Sequence, residues 1–250
     1  MTMITPIPAF QDNYIWLIAN HQHAAVIDPG EAAPVIAYLK QHQLTLDAIL
    51  ITHHHADHIG GVDDLLAYQS CKVYAPQKEQ YLFAHETVKD KQIIHFANLD
   101  LSFEVIEVPG HTLGHVAYYG ANSIFCGDTL FGGGCGRIFE GTPAQMFDSL
   151  QKLAHLPPAT AVYCAHEYTE RNLQFALSLE PSNQDLISRI KQTKSLRATN
   201  SPSLPSNIGL ELRTNPFLRC DSEEVAEKIG LKGKELIEIF TAVRQARNQF

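Results

Sequence analysis

Over the first two thirds of the chain, short apolar runs alternate with short stretches of helical period, and from about residue 168 the helical period takes over. The runs at 13–19, 24–28, 46–52, 72–74, 92–96, 101–108, 115–119, 123–126 and 161–164 are rich in β-branched or aromatic residues and close on Gly, Pro, Asn or Asp, which predicts strands. Several are too continuously apolar to face water, so they belong inside a covered sheet. Helices are expected over 31–43, with Pro34 in the first turn, over 62–69, and over 143–153, where Thr142 offers a cap and Pro143 takes the first helical position. Further helices are expected at 171–179, 184–199, 223–229 and 234–248, interrupted by a loop over 200–207 that holds Pro202 and Pro205. The pattern predicts sheets covered by helices over residues 1–167, then a smaller helical domain over 168–250.

The chain has 250 residues, 45% of them hydrophobic and 18% charged, enough to bury a large core. A formal charge of −8 argues against nucleic acid, whose binders need an excess of lysine and arginine. The apolar run from Tyr14 to Ala19 is far shorter than the ~20 residues that a membrane span requires, so no membrane association is expected. The 5 cysteines are odd in number, scattered and without a Cys-x-x-Cys pair, which predicts reduced thiols in a cytoplasmic, unexported protein.

The candidate chemistry begins where the run 46–52 ends. Thr52-His53-His54-His55-Ala56-Asp57-His58 supplies imidazole nitrogen and carboxylate oxygen, the ligand set that suits zinc and its neighbours. If the segment stays extended, His53, His55 and Asp57 share one face and His54 points away. Three further segments each carry a ligand-type residue to the end of an expected strand: Pro109-Gly110-His111, Cys126-Gly127-Asp128 and Cys164-Ala165-His166. Singly these could be a turn histidine, a cap and a hydrogen-bonded buried histidine; together they form a set, because loops at strand ends gather functional groups. The run Gly132–Gly136 lacks the Lys-Ser or Lys-Thr of a phosphate loop and reads as a close-approach turn, with Cys135 a buried structural residue.

With the segments Pro109 to His115, Cys126 to Phe131, Gly134-Cys135-Gly136-Arg137 and Cys164-Ala165-His166-Glu167-Tyr168-Thr169, the chain resembles the metallo-β-lactamase superfamily nearly end to end. Within that superfamily it is most similar to the hydroxyacylglutathione hydrolases, or glyoxalases II. The resemblance implies an α/β (α+β) fold, a four-layer αββα sandwich with a smaller C-terminal helical domain. It also implies that His53, His55 and His111 hold one metal and Asp57, His58 and His166 a second, with Asp128 bridging. The pair would be two divalent ions per chain, zinc first, with iron or manganese as alternatives.

Asp57 and Asp128 are then the carboxylates at the reaction centre, and Arg137, Tyr168, Arg244 and Arg247 the contacts to a small-molecule glutathione thioester. Arg244 and Arg247 lie three apart on one expected helix face, and guanidinium forks suit carboxylates. Asp28, at the end of 24–28, is a candidate to orient a ligand histidine or to take a turn role beside Pro29, whereas His115 is expected to pack or hydrogen-bond nearby and not to ligate. The chain departs from many eukaryotic relatives, which have lysine and tyrosine where it has Arg137 and Phe139. It keeps the charge and loses a hydroxyl.

The chemistry implied is thioester hydrolysis by a hydroxide bridging the metals, the second step of methylglyoxal detoxification, carried out by a monomer. A thiolate leaving group needs no strong acid, in keeping with the lack of an obvious one. The alternatives are another hydrolase on this scaffold, such as a lactonase, β-lactamase or nuclease, or a metal-binding protein without turnover.

Overall fold

The computed structural model describes residues 2–250, which divide into two compact units. One runs to Glu107 and takes in Leu113–Gly127; the other is Val108–Thr112 with Asp128–Phe250.

In the first unit, β1 (Met3–Ala9), β2 (Asn13–Ala19), β3 (His23–Ile27), β4 (Thr45–Leu50), β5 (Lys72–Pro76) and β6 (Glu86–Val88) form one sheet in that order. The pairings from β1 to β3 are antiparallel and those from β3 to β6 parallel. All of β2 is buried, as its unbroken apolar run requires. Ile15 and Leu17 join Val26, Ile49 and Val73 in a core with Val35 and Leu39 of α1 (Ala32–His42) and Val62 and Leu65 of α3 (Val62–Tyr68). Strands β7 (Ile93–Phe96), β8 (Leu101–Glu107), β9 (Val116–Gly120) and β10 (Ser123–Gly127) pair antiparallel. They meet the opposite face of the first sheet: the Tyr118 hydroxyl donates to the Ile51 carbonyl at 2.7 Å, and Tyr74 stacks edge-on against Phe96 at 5.6 Å.

Strand β1 was not expected from the sequence, because Pro6 and Pro8 lack ladder donors. It is an edge strand paired only with β2, and Pro6 and Pro8, two apart, turn their missing donors toward the same, open side. The metal motif is not extended throughout. After His55 the chain turns into the short helix α2 (Ala56–Ile59), with the His58 amide bonded to the His55 carbonyl at 2.9 Å. Asp57 therefore does not alternate with His53 and His55 as expected; one helical turn sets the direction of both Asp57 and His58.

The second unit contains the short hairpin β11 (Leu130–Phe131) and β12 (Gly134–Cys135), helix α4 (Pro143–Ala154), the pair β13 (Ala161–Cys164) and β14 (Ser206–Asn207), and helices α5 (Thr169–Leu179), α6 (Gln184–Ala198), α7 (Ile208–Thr214), α8 (Glu223–Lys228) and α9 (Leu236–Gln249). Thr142 caps α4 in a reciprocal box with Gln145, behind Pro143, as the sequence indicates. Helix α7 had no sequence signal beyond its cap residue Asn207. Its anchor is Glu211, a fully buried acid that no periodicity argument anticipates.

Candidate metal and substrate site

In the first unit the end of β4 delivers Thr52 and His53 into the interior, where both are fully buried. Asp28 closes β3 at φ 52° and collects this segment: one carboxylate oxygen accepts from the Thr52 amide at 2.7 Å, the other from the Thr52 hydroxyl at 2.7 Å. The second oxygen also lies 3.0 Å from His58 Nδ1. A carboxylate there makes Nδ1 the protonated nitrogen and Nε2 the unprotonated one. That Nε2 stands 3.5 Å from an oxygen of Asp57. The Thr52 hydroxyl spends its proton on Asp28, so at 3.1 Å from His53 Nδ1 it accepts, and His53 Nε2 is the unprotonated nitrogen. His53 Nε2 in turn faces His55 Nδ1 at 3.1 Å. His115 is buried and stacks on the His53 ring at 4.6 Å, the packing role expected of it.

The same accounting holds in the second unit. His111 Nδ1 donates to the Arg137 carbonyl at 2.7 Å, which turns an unprotonated Nε2 toward Asp128 Oδ2 at 3.4 Å. The other oxygen of Asp128 lies 3.4 Å from His166 Nε2. His166 is gripped by Tyr168, stacked at 4.7 Å and 6°, and by the edge of Phe131 at 5.8 Å. Both His58 with Asp57 and His111 with Asp128 set a nitrogen lone pair against a carboxylate oxygen at 3.4–3.5 Å. Two acceptors at that separation repel until a cation shares them. The donor chemistry of each unit therefore fits metal ions, with nitrogen and oxygen atoms of the type that zinc, iron and manganese accept.

Asp128, His111 and Tyr168 open onto a cavity of about 360 Å³ that also exposes Arg137, Arg171 and Arg247. Its floor is the glycine hairpin, whose approach is so close that a Cβ on Gly136 would sit 1.8 Å from the Asp128 carbonyl. Arg137 and Tyr168 both line this cavity. Arg244 differs from the carboxylate clamp expected of it. It is 8% exposed; Nη1 donates to the Cys135 carbonyl at 2.8 Å and Nη2 to Asn248 at 3.0 Å. Its guanidinium thus holds the hairpin, while Arg247, bonded through one nitrogen to Asn172 at 3.2 Å, stays half-buried on the wall. Burial, then the charges of Arg171 and Arg244, push the Arg247 pKa down. Burial raises the Cys135 thiol pKa, which disfavours the thiolate form.

Family models match residues 10–166 as the metallo-β-lactamase superfamily and 167–250 as the hydroxyacylglutathione hydrolase C-terminus. The hydroxyacylglutathione hydrolase of Methylobacillus flagellatus is 54% identical to this chain over the whole of both sequences. The chain belongs to the hydroxyacylglutathione hydrolase family. Its fold is accordingly the metallo-β-lactamase α+β sandwich followed by a C-terminal helical region. Among solved structures it is similar to ETHE1 from Myxococcus xanthus, with a TM-score of 0.67 at 26% identity over 99% of this chain and 98% of that one. It is also similar to TTHA1623 in a di-iron-bound form, with a TM-score of 0.62 at 26% identity over 86% of this chain and 100% of that one.

Two residues beside the family's motifs escaped the sequence reading. Asn13, 8% exposed at the start of β2, donates its amide to Asp57 at 3.0 Å. A lone polar residue opening an otherwise apolar strand was the signal available. Arg171 follows Tyr168 by three positions and so shares its helix face, a spacing that the sequence displayed. Among the described residues no helix is long and apolar enough to cross a membrane.

Proposed function

We propose that this protein hydrolyses the thioester S-(2-hydroxyacyl)glutathione, with S-D-lactoylglutathione its representative substrate, to glutathione and a 2-hydroxy acid, the second step of methylglyoxal detoxification. The observation that carries the reading is the Asp128 carboxylate, whose two oxygens face Nε2 of His111 and of His166 on the wall of an arginine-lined cavity. One acid divided between two imidazoles is what a paired metal centre requires and what a single ion does not.

In this reading His53, His55 and His111 hold one divalent ion and Asp57, His58 and His166 the other, with Asp128 shared. Zinc is the first candidate, and iron or manganese are compatible with the same donors. When bound, the ions supply Lewis acidity that polarises the thioester carbonyl and lowers the pKa of water toward neutrality. The chain's own residues do the rest. The Arg137 carbonyl and Asp28 fix the tautomers of His111 and His58 before any ligand arrives. Arg137, Tyr168 and Arg247 on the cavity wall receive the glutathione tail, and Arg244 supports them through the hairpin it holds. The leaving thiolate is a weak enough base to depart without a dedicated acid. We assign residues 1–167 to the catalytic domain and 168–250 to glutathione binding, in a cytoplasmic monomer without nucleic-acid or membrane partners.

The test is release of free thiol from S-D-lactoylglutathione, measured beside a lactone, a β-lactam and a phosphodiester, before and after chelation. Turnover confined to the thioester, lost on chelation and regained with one of the three metals, is the expected outcome. A faster rate on any of the other substrates would transfer the assignment to that chemistry. Replacing Asp28 with asparagine leaves the shape and removes the charge that orients His58, so metal affinity should fall about 10- to 100-fold. Competition with a chromophoric chelator reads that constant directly, and an unchanged value would confine Asp28 to its turn.

A further inference from the structure

Four guanidinium groups line the cavity, and the reading above uses only Arg137, Arg244 and Arg247. The fourth, Arg171, is exposed in the first turn of α5. Among the described residues its side chain makes no ion pair and no hydrogen bond, unlike those of Arg244 and Arg247. Its position also works against the helix, because a cation at the N-terminal end opposes the aligned peptide dipoles. A residue whose side chain makes no hydrogen bond or ion pair among the described residues, and which opposes the dipole of the helix it sits on, calls for a different account.

The charge around it supplies one. Among the described residues Asp128 is the sole acid on the cavity wall, so the arginines there have little to neutralise them. Arg247 registers the crowding, its pKa pushed down by burial and then by Arg171 and Arg244. Such a wall is relieved by an anion with several negative groups, and the planar fork of arginine matches a carboxylate. The glutathione tail carries two carboxylates, at its glycyl and its γ-glutamyl ends. With the Arg244 fork spent on the hairpin carbonyls and one nitrogen of Arg247 on Asn172, Arg171, like Arg137, has its whole fork to offer.

We propose that Arg171 is a specificity-determining residue that binds one of the two tail carboxylates of the glutathione thioester, an inference that rests on the thioesterase reading. Its interaction is made with a part of the substrate remote from the reacting carbonyl, so it acts equally on bound substrate and transition state. It therefore sets KM and leaves kcat alone.

The experiment compares wild type, Arg171→Gln and Arg171→Lys on three thioesters: S-D-lactoylglutathione, its glycyl monoethyl ester, and the lactoyl thioester of N-acetylcysteamine, which has no tail charge. Arg171→Gln should raise KM for lactoylglutathione about tenfold at unchanged kcat, and Arg171→Lys should recover part of it. Neither variant should change the rate on the N-acetylcysteamine thioester, and the thermal stability of Arg171→Gln should hold or rise, since its first-turn cation is gone. If the penalty vanishes on the ethyl ester, Arg171 reads the glycyl end; if it persists, the γ-glutamyl end. An unchanged KM for lactoylglutathione, or an equal rise on the uncharged thioester, overturns the role of Arg171 while leaving the thioesterase reading intact. A wild-type enzyme inactive on every glutathione thioester overturns both.

Discussion

Asp128→Ala is expected to bind one metal ion where the wild type binds two and to lose turnover by about 10³-fold or more. The expectation follows from how Asp128 is held. It is 6% exposed at the end of β10, behind Gly127, whose φ of 46° and lack of a Cβ let the chain turn where a side chain would strike Thr52. From there its two oxygens reach Nε2 of His111 and of His166, each at 3.4 Å. Alanine removes both contacts at once, and among the described residues no other acid lines that cavity to replace them. Asp128→Asn separates charge from shape: the amide fills the same volume but offers one neutral acceptor, so turnover should fall almost as far. Elemental analysis beside the thioester assay checks the result, with circular dichroism to confirm folding. A variant that keeps both ions and its rate would end the shared-carboxylate assignment.

The second large effect concerns stability. Arg189→Met should cost about 3–5 kcal/mol, because it leaves the Glu211 carboxylate buried without its counter-charge. Glu211 is 0% exposed and Arg189 4%; Arg189 Nη2 lies 2.5 Å from Glu211 Oε1 and its Nη1 donates to the Thr214 hydroxyl at 2.6 Å. The acid also accepts from the Gly133 amide at 2.9 Å and from the Asn215 side chain at 3.0 Å, and Asn215 donates to the Gly134 carbonyl at 2.9 Å. The cluster thus supports the glycine hairpin from below, as Arg244 does from the side. Glu211→Gln keeps an acceptor for Gly133 and removes the buried charge, so paired with Arg189→Met it should recover part of the loss. Denaturant unfolding monitored by tryptophan fluorescence measures both variants. A loss below about 1 kcal/mol would mean that water reaches the pair and that the cluster is not the hairpin's support.

The parts of the fold that were readable along the chain were those governed by local rules. The apolar run of β2, the capped α4 with Thr142 and Pro143, and the periodic helices after residue 168 all stand within a residue or two of their expected places. Elements that depend on partners were not readable. Strand β1 carries two prolines and exists because β2 offers it a partner while its other edge stays open. Helix α7 is short and owes its place to a buried acid whose counter-ion lies on α6, 22 residues away. Extended alternation places His53 and His55 but not Asp57, because the chain coils at Ala56.

Residue type and spacing alone determined the chemistry here: four ligand-type residues packed into Thr52–His58, three more at strand ends, and arginines spaced to share a helix face. Those features are local, since a ligand must be a histidine or an acid wherever it ends up. Folding in three dimensions decided which lone pair His111 presents, that Arg244 grips carbonyls where a substrate clamp was expected, and that Arg171 stands on the cavity wall with no hydrogen bond or ion pair among the described residues. The reason is that tautomer, burial and charge balance are set by neighbours far away along the chain, and a backbone that has not yet closed on itself has none of them.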